Sequence, residues 1–94
     1  MTMKTRAFNP IEMLHTDEEI AQWLTEAYED EDPAVFVAVL GKVVKYRGVA
    51  DMARIAGLNR ESLYKAFNGK SQPNWRTVHK LLHALNVKLV AEVA

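Results

Sequence analysis

The sequence predicts an all-α domain of five helices followed by one short β-strand. Apolar residues recur at helical spacing through most of the chain, and four of the helix starts carry a capping residue. Only residues 87–93 (VKLVAEV) alternate and are rich in β-branched residues, as strands are. The 94 residues have room for one small domain with a modest core.

The first two predicted helices start at strong capping signals. Thr16 and Glu19 have the spacing of a capping box, in which each side chain accepts a bond from the other's backbone N–H. Asp32 before Pro33 predicts the start of a second helix that runs to about Tyr46. This second helix is apolar almost all round near its start, so we expect it at the centre of the core. The apolar stripe of the first helix comprises Ile20, Trp23, Leu24, Ala27 and Tyr28.

Two short helices, residues 49–56 and 60–68, have the pattern of a helix-turn-helix pair. Ala53 is the small residue at the crossing, and Gly57 provides a turn that tolerates positive φ. Asn59 is a good cap for the second helix, and Gly69 ends it. The predicted core of the pair comprises Met52, Ala53, Ala56, Gly57, Leu58, Leu63 and Ala66. The alternative is an ordinary pair of tightly packed core helices.

The last helix is expected from Trp75 to about Leu85, with Asn74 as its cap. Its inward face comprises Val78, Leu81, Leu82 and Leu85. The strand at residues 87–93 needs a partner, because an isolated strand is not stable. The candidates are a segment around residues 6–8 or another chain.

A formal net charge of zero hides two opposite regions. Residues 1–32 contain nine acidic and two basic residues, whereas residues 33–94 contain ten basic and three acidic residues. The chain is therefore −7 followed by +7, and such asymmetry suggests different partners. We expect residues 1–32 to form an acidic segment packed on the domain and residues 33–94 to form a DNA-binding domain.

Composition excludes several other classes of protein. The chain has no cysteine, no apolar run near the roughly 20 residues of a membrane span, and no secretory signal, so a soluble cytoplasmic protein is expected. His79 and His83 lie four residues apart but lack a third ligand, so no metal site is expected. The acidic pairs lack a companion base, and no phosphate-binding loop is present, so we expect neither an enzyme nor a cofactor.

Residues 56–87 (AGLNRESLYKAFNGKSQPNWRTVHKLLHALNV) resemble the phage-repressor-like, Xre-type helix-turn-helix domain. From Phe8 onward the chain resembles the probable addiction module antidote family of bacterial and prophage proteins, related to HigA-like antitoxins. That similarity is carried by FNPIEML, DEEIAQWLTEAYEDEDPAVFVAVLGKVVKYRG, the turn AGLNRESLYKAFNG and the closing LNVKLVAEV. The resemblance implies a homodimeric DNA-binding domain and a RelE/ParE-like toxin encoded nearby. The chain departs from the family at Asn59, where serine is expected, but both residues cap helices.

The second helix of the pair is predicted to enter the major groove of double-stranded DNA at a palindromic operator. Arg60 and Lys65 are the expected base readers, because both can donate to guanine O6 and N7. Residues after the helix are expected to contact the phosphate backbone and set the register. For each side chain the alternative is a solvated surface group. The predicted DNA-binding residues are Asn59, Arg60, Glu61, Tyr64, Lys65, Asn68, Lys70, Ser71, Gln72 and Asn74.

The acidic segment is predicted to bind the basic toxin, because opposite potentials steer association. Its predicted contacts are Glu18, Glu19, Trp23, Glu26, Glu29 and Asp30. The alternative is that the apolar residues of the first helix only pack on the core and that the acids are solvated. Two other functions are open: a stand-alone prophage-type repressor without a toxin, and a protein-interaction module that has lost DNA binding.

Overall fold

A computed structural model of the protein describes residues 16–94. The five predicted helices are confirmed. They are α1 (Asp17–Tyr28), α2 (Pro33–Arg47), α3 (Val49–Ala56), α4 (Arg60–Ala66) and α5 (Trp75–Ala84). Helix α4 ends two residues earlier than predicted, because the Asn68 side chain accepts the Lys70 N–H (2.8 Å) and Gly69 adopts a positive φ of 84°. Such a local side-chain turn competes with continuation of the helix.

The predicted caps form at the starts of α1 and α2. The Glu19 N–H donates to Thr16 Oγ1 (3.1 Å), and the Thr16 N–H donates to Glu19 Oε1 (3.2 Å), which completes the capping box. The Ala34 N–H donates to Asp32 Oδ1 (2.9 Å) beside the first-turn proline. Each cap satisfies a backbone donor that has no partner within the helix.

All five helices contribute to one apolar core. Helix α1 packs on α2, α2 packs on α3, and α3 packs on both α4 and α5. No polar or charged side chain is buried among the described residues. The core comprises Ile20, Leu24, Leu40, Val43, Val44, Met52, Ala53, Leu63, Val78, Leu81, Leu82, Leu85 and Val87.

Fewer residues of α1 and α2 are buried than the sequence predicts. Trp23 is half-buried, and Tyr28 is 71% exposed, with its ring edge-on to Phe36 at 6.1 Å between centroids. The start of α2 is half-buried at Phe36 and Val37, whereas Leu40, Val43 and Val44 further along the helix are buried. Tyr28 is the last residue of α1, where the helix leaves the core, so its ring covers the start of α2 instead of entering the core.

Three helix ends meet at a small polar cluster. The Arg47 guanidinium at the end of α2 donates to Asp17 Oδ1 at the start of α1 (2.8 Å). Asn86, just after α5, donates from Nδ2 to Asp17 Oδ2 at 3.5 Å. The hydrogen bond from Arg47, followed by the one from Asn86, lowers the pKa of Asp17. The cluster therefore favours the charged carboxylate.

The predicted C-terminal β-strand is wrong for the described single chain. Helix α5 ends in a Schellman motif, in which Asn86 has a positive φ of 63° and the Val87 N–H donates to Leu82 O (2.9 Å). Residues 87–94 pair with no other segment of residues 16–94. A segment without a pairing partner does not form a stable strand. The candidate partner at residues 6–8 lies outside the described residues. Over residues 16–94, no helix is both long and apolar enough for a bilayer span.

Candidate nucleic-acid interface

The turn between α3 and α4 has a fixed geometry. Gly57 adopts a φ of 70°, its N–H donates to Arg54 O (3.3 Å), and the Leu58 N–H donates to Ala53 O (2.8 Å). This pair of bonds is a Schellman motif, and glycine suits its left-handed position. Of the predicted core residues of the pair, Met52, Ala53 and Leu63 are buried, Ala56, Leu58 and Ala66 are half-buried, and Gly57 is exposed.

Helix α4 has one buried anchor and a polar outer surface. Leu63 is 2% exposed and joins the core. The Ser62 N–H donates to Asn59 Oδ1 (3.1 Å), so the cap predicted at Asn59 is present. The outer surface includes an exposed aromatic ring, since Tyr64 is 52% exposed. All ten predicted DNA-binding residues are exposed: Asn59, Arg60, Glu61, Tyr64, Lys65, Asn68, Lys70, Ser71, Gln72 and Asn74.

The asparagines among these residues also shape the backbone. Asn74 Oδ1 accepts the Thr77 N–H (2.9 Å) and caps α5, while Asn68 Oδ1 accepts the Lys70 N–H. Together with the cap at Asn59, three of the ten predicted residues use their side-chain oxygen within the chain. An asparagine side chain has an NH₂ group in addition to this oxygen, so capping leaves a donor for another partner.

This surface carries a net positive charge. Residues 60–76 contain four basic residues and one acidic residue, Glu61. No ion pair within residues 16–94 involves Arg60, Lys65 or Lys70. By contrast, Arg54 on α3 lies 3.4 Å from Asp51, so its charge is partly balanced. The cations after Gly57 are therefore available to an anionic partner.

Gly41 on α2 sets the position of the end of α4, and the sequence reasoning missed it. A Cβ added at Gly41 would lie 2.9 Å from Phe67 Cδ1, closer than real Cβ atoms approach such a neighbour. A groove lies between α2 and α4, with Gly41 and Val44 on one wall and Tyr64 on the other. The available signal was a glycine inside a helical pattern, which usually has a packing reason.

A row of rings along α5 is a second feature that sequence reasoning missed. Trp75 is 61% exposed next to the Asn74 cap, and its ring contacts that of His79 at 5.8 Å between centroids. The rings of His79 and His83 lie 4.4 Å apart. Both histidines are exposed. No group of three potential metal ligands occurs within the described part of the chain.

The predicted toxin contacts do not form one uniform surface. Glu18, Glu26, Glu29 and Asp30 are exposed, and Glu26 accepts a bond from Gln22 at 3.5 Å. Glu19 is exposed but belongs to the capping box. Trp23 is half-buried and packs against the core. The two predicted contacts Glu19 and Trp23 therefore have roles within the domain as well.

Comparisons with known proteins show which family the chain belongs to. The model of the family described as "Probable addiction module antidote protein" matches residues 4–93. A protein of Haemophilus influenzae, described only as uncharacterized, is 35% identical over 88 residues, which cover 94% of this chain and 91% of that protein. No solved structure gives a significant match.

Proposed function

Because the chain belongs to the addiction module antidote family, we propose that it is a DNA-binding antitoxin that neutralises a RelE/ParE-like toxin and represses its own operon. Family membership supports the antitoxin role. The polar outer surface of α4 supports the DNA-binding role. The observation that carries the proposal is the joint exposure of Arg60, Tyr64 and Lys65 on a helix anchored by buried Leu63.

Helix α4 is proposed to lie in the major groove. Arg60 and Lys65 donate to guanine O6 and N7, and Tyr64 packs on a thymine methyl or donates to a phosphate. Lys70 and Gln72 in the loop after α4 contact the phosphate backbone, which sets register without reading sequence. A single small domain buries little DNA surface, so the protein binds a palindrome as a homodimer, with half-sites about 34 Å apart.

The toxin is proposed to bind the outer side of α1. Glu18, Glu26 and Glu29 are exposed there, and the stretch from residue 16 to 32 contains no basic residue. A basic toxin is attracted to such a surface, because complementary potentials speed association and favour the correct partner. The two partners are thereby assigned to differently charged regions of the chain.

An electrophoretic mobility shift with the DNA upstream of the protein's own gene tests DNA binding. Arg60→Ala and Lys65→Ala are expected to weaken binding, by about 1–3 kcal/mol for each lost base contact, at unchanged thermal stability. Lys42→Ala is the matched control, because Lys42 is an exposed cation on α2 outside the proposed interface. Operator affinity that survives both α4 substitutions would exclude this assignment.

Co-purification with the product of the adjacent reading frame tests toxin binding. The double substitution Glu18→Lys and Glu26→Lys is expected to reduce capture of a basic neighbour while DNA binding persists, because both side chains are exposed on α1. Capture that is unchanged in the double variant would refute the α1 assignment. A protein that binds its operator but has no toxin neighbour would be a stand-alone repressor.

A further inference from the structure

The C-terminal segment, residues 87–94, leaves the core after its first residue. Val87 is 9% exposed, and its N–H closes the Schellman motif of α5. Beyond it, Leu89 and Val90 are 50% and 65% exposed, and Val93 is fully exposed. Three large apolar side chains thus face solvent in one short segment. Solvent exposure of such residues in a group, and not singly, marks an interaction surface.

Within residues 16–94, the backbone of this segment is also unpaired beyond Val87. In the structure of residues 16–94, its sole backbone hydrogen bond besides those of regular elements is the one from the Val87 N–H to Leu82 O. Residues 88–94 belong to no helix or strand of the described chain. A run of free N–H and C=O groups with alternating β-branched residues is a template for pairing with another strand.

Antiparallel pairing of this segment with its own copy gives a self-complementary register. When Val90 lies on the two-fold axis, Lys88 of one copy lies opposite Glu92 of the other, and Leu89 lies opposite Ala91. Both copies contribute the same contacts, so two Lys–Glu pairs form on either side of a central valine pair. Opposite charges directly across a strand pair are stabilising, and like charges are destabilising.

In the same register, one face of the strand is wholly apolar and the charged side chains lie on the opposite face. Side chains alternate across a strand, so the odd-numbered positions share one face. That face comprises Val87, Leu89, Ala91 and Val93, which are all apolar, and it begins at the buried Val87. The opposite face carries Lys88, Val90 and Glu92. The apolar face therefore begins at the core residue Val87 of each protomer, and the charged face lies opposite it.

We propose that the C-terminal segments of two copies of this chain form an antiparallel two-stranded ribbon centred on Val90, and that this ribbon is the dimer contact. The inference deepens the proposed function, because it rests on the homodimer proposed there. An isolated two-stranded ribbon is marginal in water, but packing on helices stabilises it. Parallel pairing is disfavoured, because it sets Lys88 against Lys88 and Glu92 against Glu92.

Charge reversal in the full-length chain tests this register by sedimentation equilibrium. Lys88→Glu and Glu92→Lys each place like charges at both symmetric pairs, so each is expected to weaken the homodimer about ten-fold. The double variant Lys88→Glu/Glu92→Lys restores both opposite-charge pairs and the wild-type affinity. An equimolar mixture of the two single variants is expected to form a heterodimer. Lys42→Glu is the control, because it makes the same charge change on exposed α2.

Three results would overturn the inference. The first is a wild-type chain that stays monomeric at all concentrations, as expected if the segment pairs with residues 1–15 of its own chain. The second is a dimer that neither single variant weakens relative to Lys42→Glu. The third is a double variant that fails to recover. Operator binding is measured separately by mobility shift, so a dimer that binds no operator contradicts the proposed function and leaves the ribbon intact.

Discussion

The acidic region, residues 16–32, and the basic region, residues 59–76, use their charged side chains differently. In the acidic region, Asp17 binds Arg47, Glu19 completes the capping box and Asp32 caps α2. In the basic region, no ion pair within the described chain involves Arg60, Lys65 or Lys70. Part of the acidity therefore serves the fold, whereas the basicity is directed outward.

Substitution of Leu24 has the largest expected effect, and it tests whether the two regions are separable. Leu24 on α1 is 1% exposed in the core shared by all five helices. Leu24→Ala is expected to lower the free energy of unfolding by about 2–5 kcal/mol, because the cavity adds to the lost transfer free energy. Chemical denaturation followed by helical circular dichroism should show one transition. Two separate transitions would show that the acidic segment folds independently.

Gly41→Ala tests how closely the basic region depends on α2. Alanine is favoured over glycine inside a helix by about 1 kcal/mol, so propensity alone predicts stabilisation. The contact with the Phe67 ring predicts the opposite, a loss of about 1–3 kcal/mol from overpacking. Thermal unfolding distinguishes the two signs. The reverse substitution at exposed Ala38 on the same helix, Ala38→Gly, measures the propensity effect alone. A more stable Gly41→Ala variant would contradict the close approach.

Asn74→Ala separates capping from DNA contact. Removal of the bond from the Thr77 N–H to Asn74 Oδ1 is expected to cost about 1 kcal/mol of stability. Asn74→Ser keeps a capping oxygen and should restore stability, but it removes the NH₂ group. If Asn74 also contacts DNA, the serine variant will be stable and yet bind the operator more weakly. Full operator affinity in the serine variant would limit Asn74 to capping.

The smallest expected effect is a pH dependence from Asp17. The folded pKa of Asp17 lies below its ordinary value of 3.8, chiefly because of the hydrogen bond from Arg47. A depressed pKa stabilises the folded state above the unfolded pKa, and the contribution is lost as pH falls through the folded pKa. Stability should therefore decline below about pH 4, and less steeply in Asp17→Asn and Arg47→Gln. Acid unfolding curves at low salt check this, and three parallel curves would argue against the contribution.

The helices and their caps were predictable because their signals are local. Thr16 and Glu19 sit three residues apart, and the positive φ of Gly57 is required by a turn of a few residues. The exposure of the predicted DNA-binding residues also followed from the polar face of one short helix and from the polar residues that flank it. The contact of Gly41 with Phe67 could not be derived in this way, because it joins residues from different helices. The same holds for the ion pair between Asp17 and Arg47.

The sequence by itself determined the five helices, their caps and the turn at Gly57, because each depends on neighbours within a few residues. Its composition determined the division into acidic and basic regions. Only the tertiary structure decided that Tyr28 stays outside the core and that Gly41 contacts Phe67. It also decided that residues 87–94 find no strand partner among residues 16–94. These outcomes depend on which surfaces meet in three dimensions, and hydrophobic periodicity specifies a buried face without specifying what covers it.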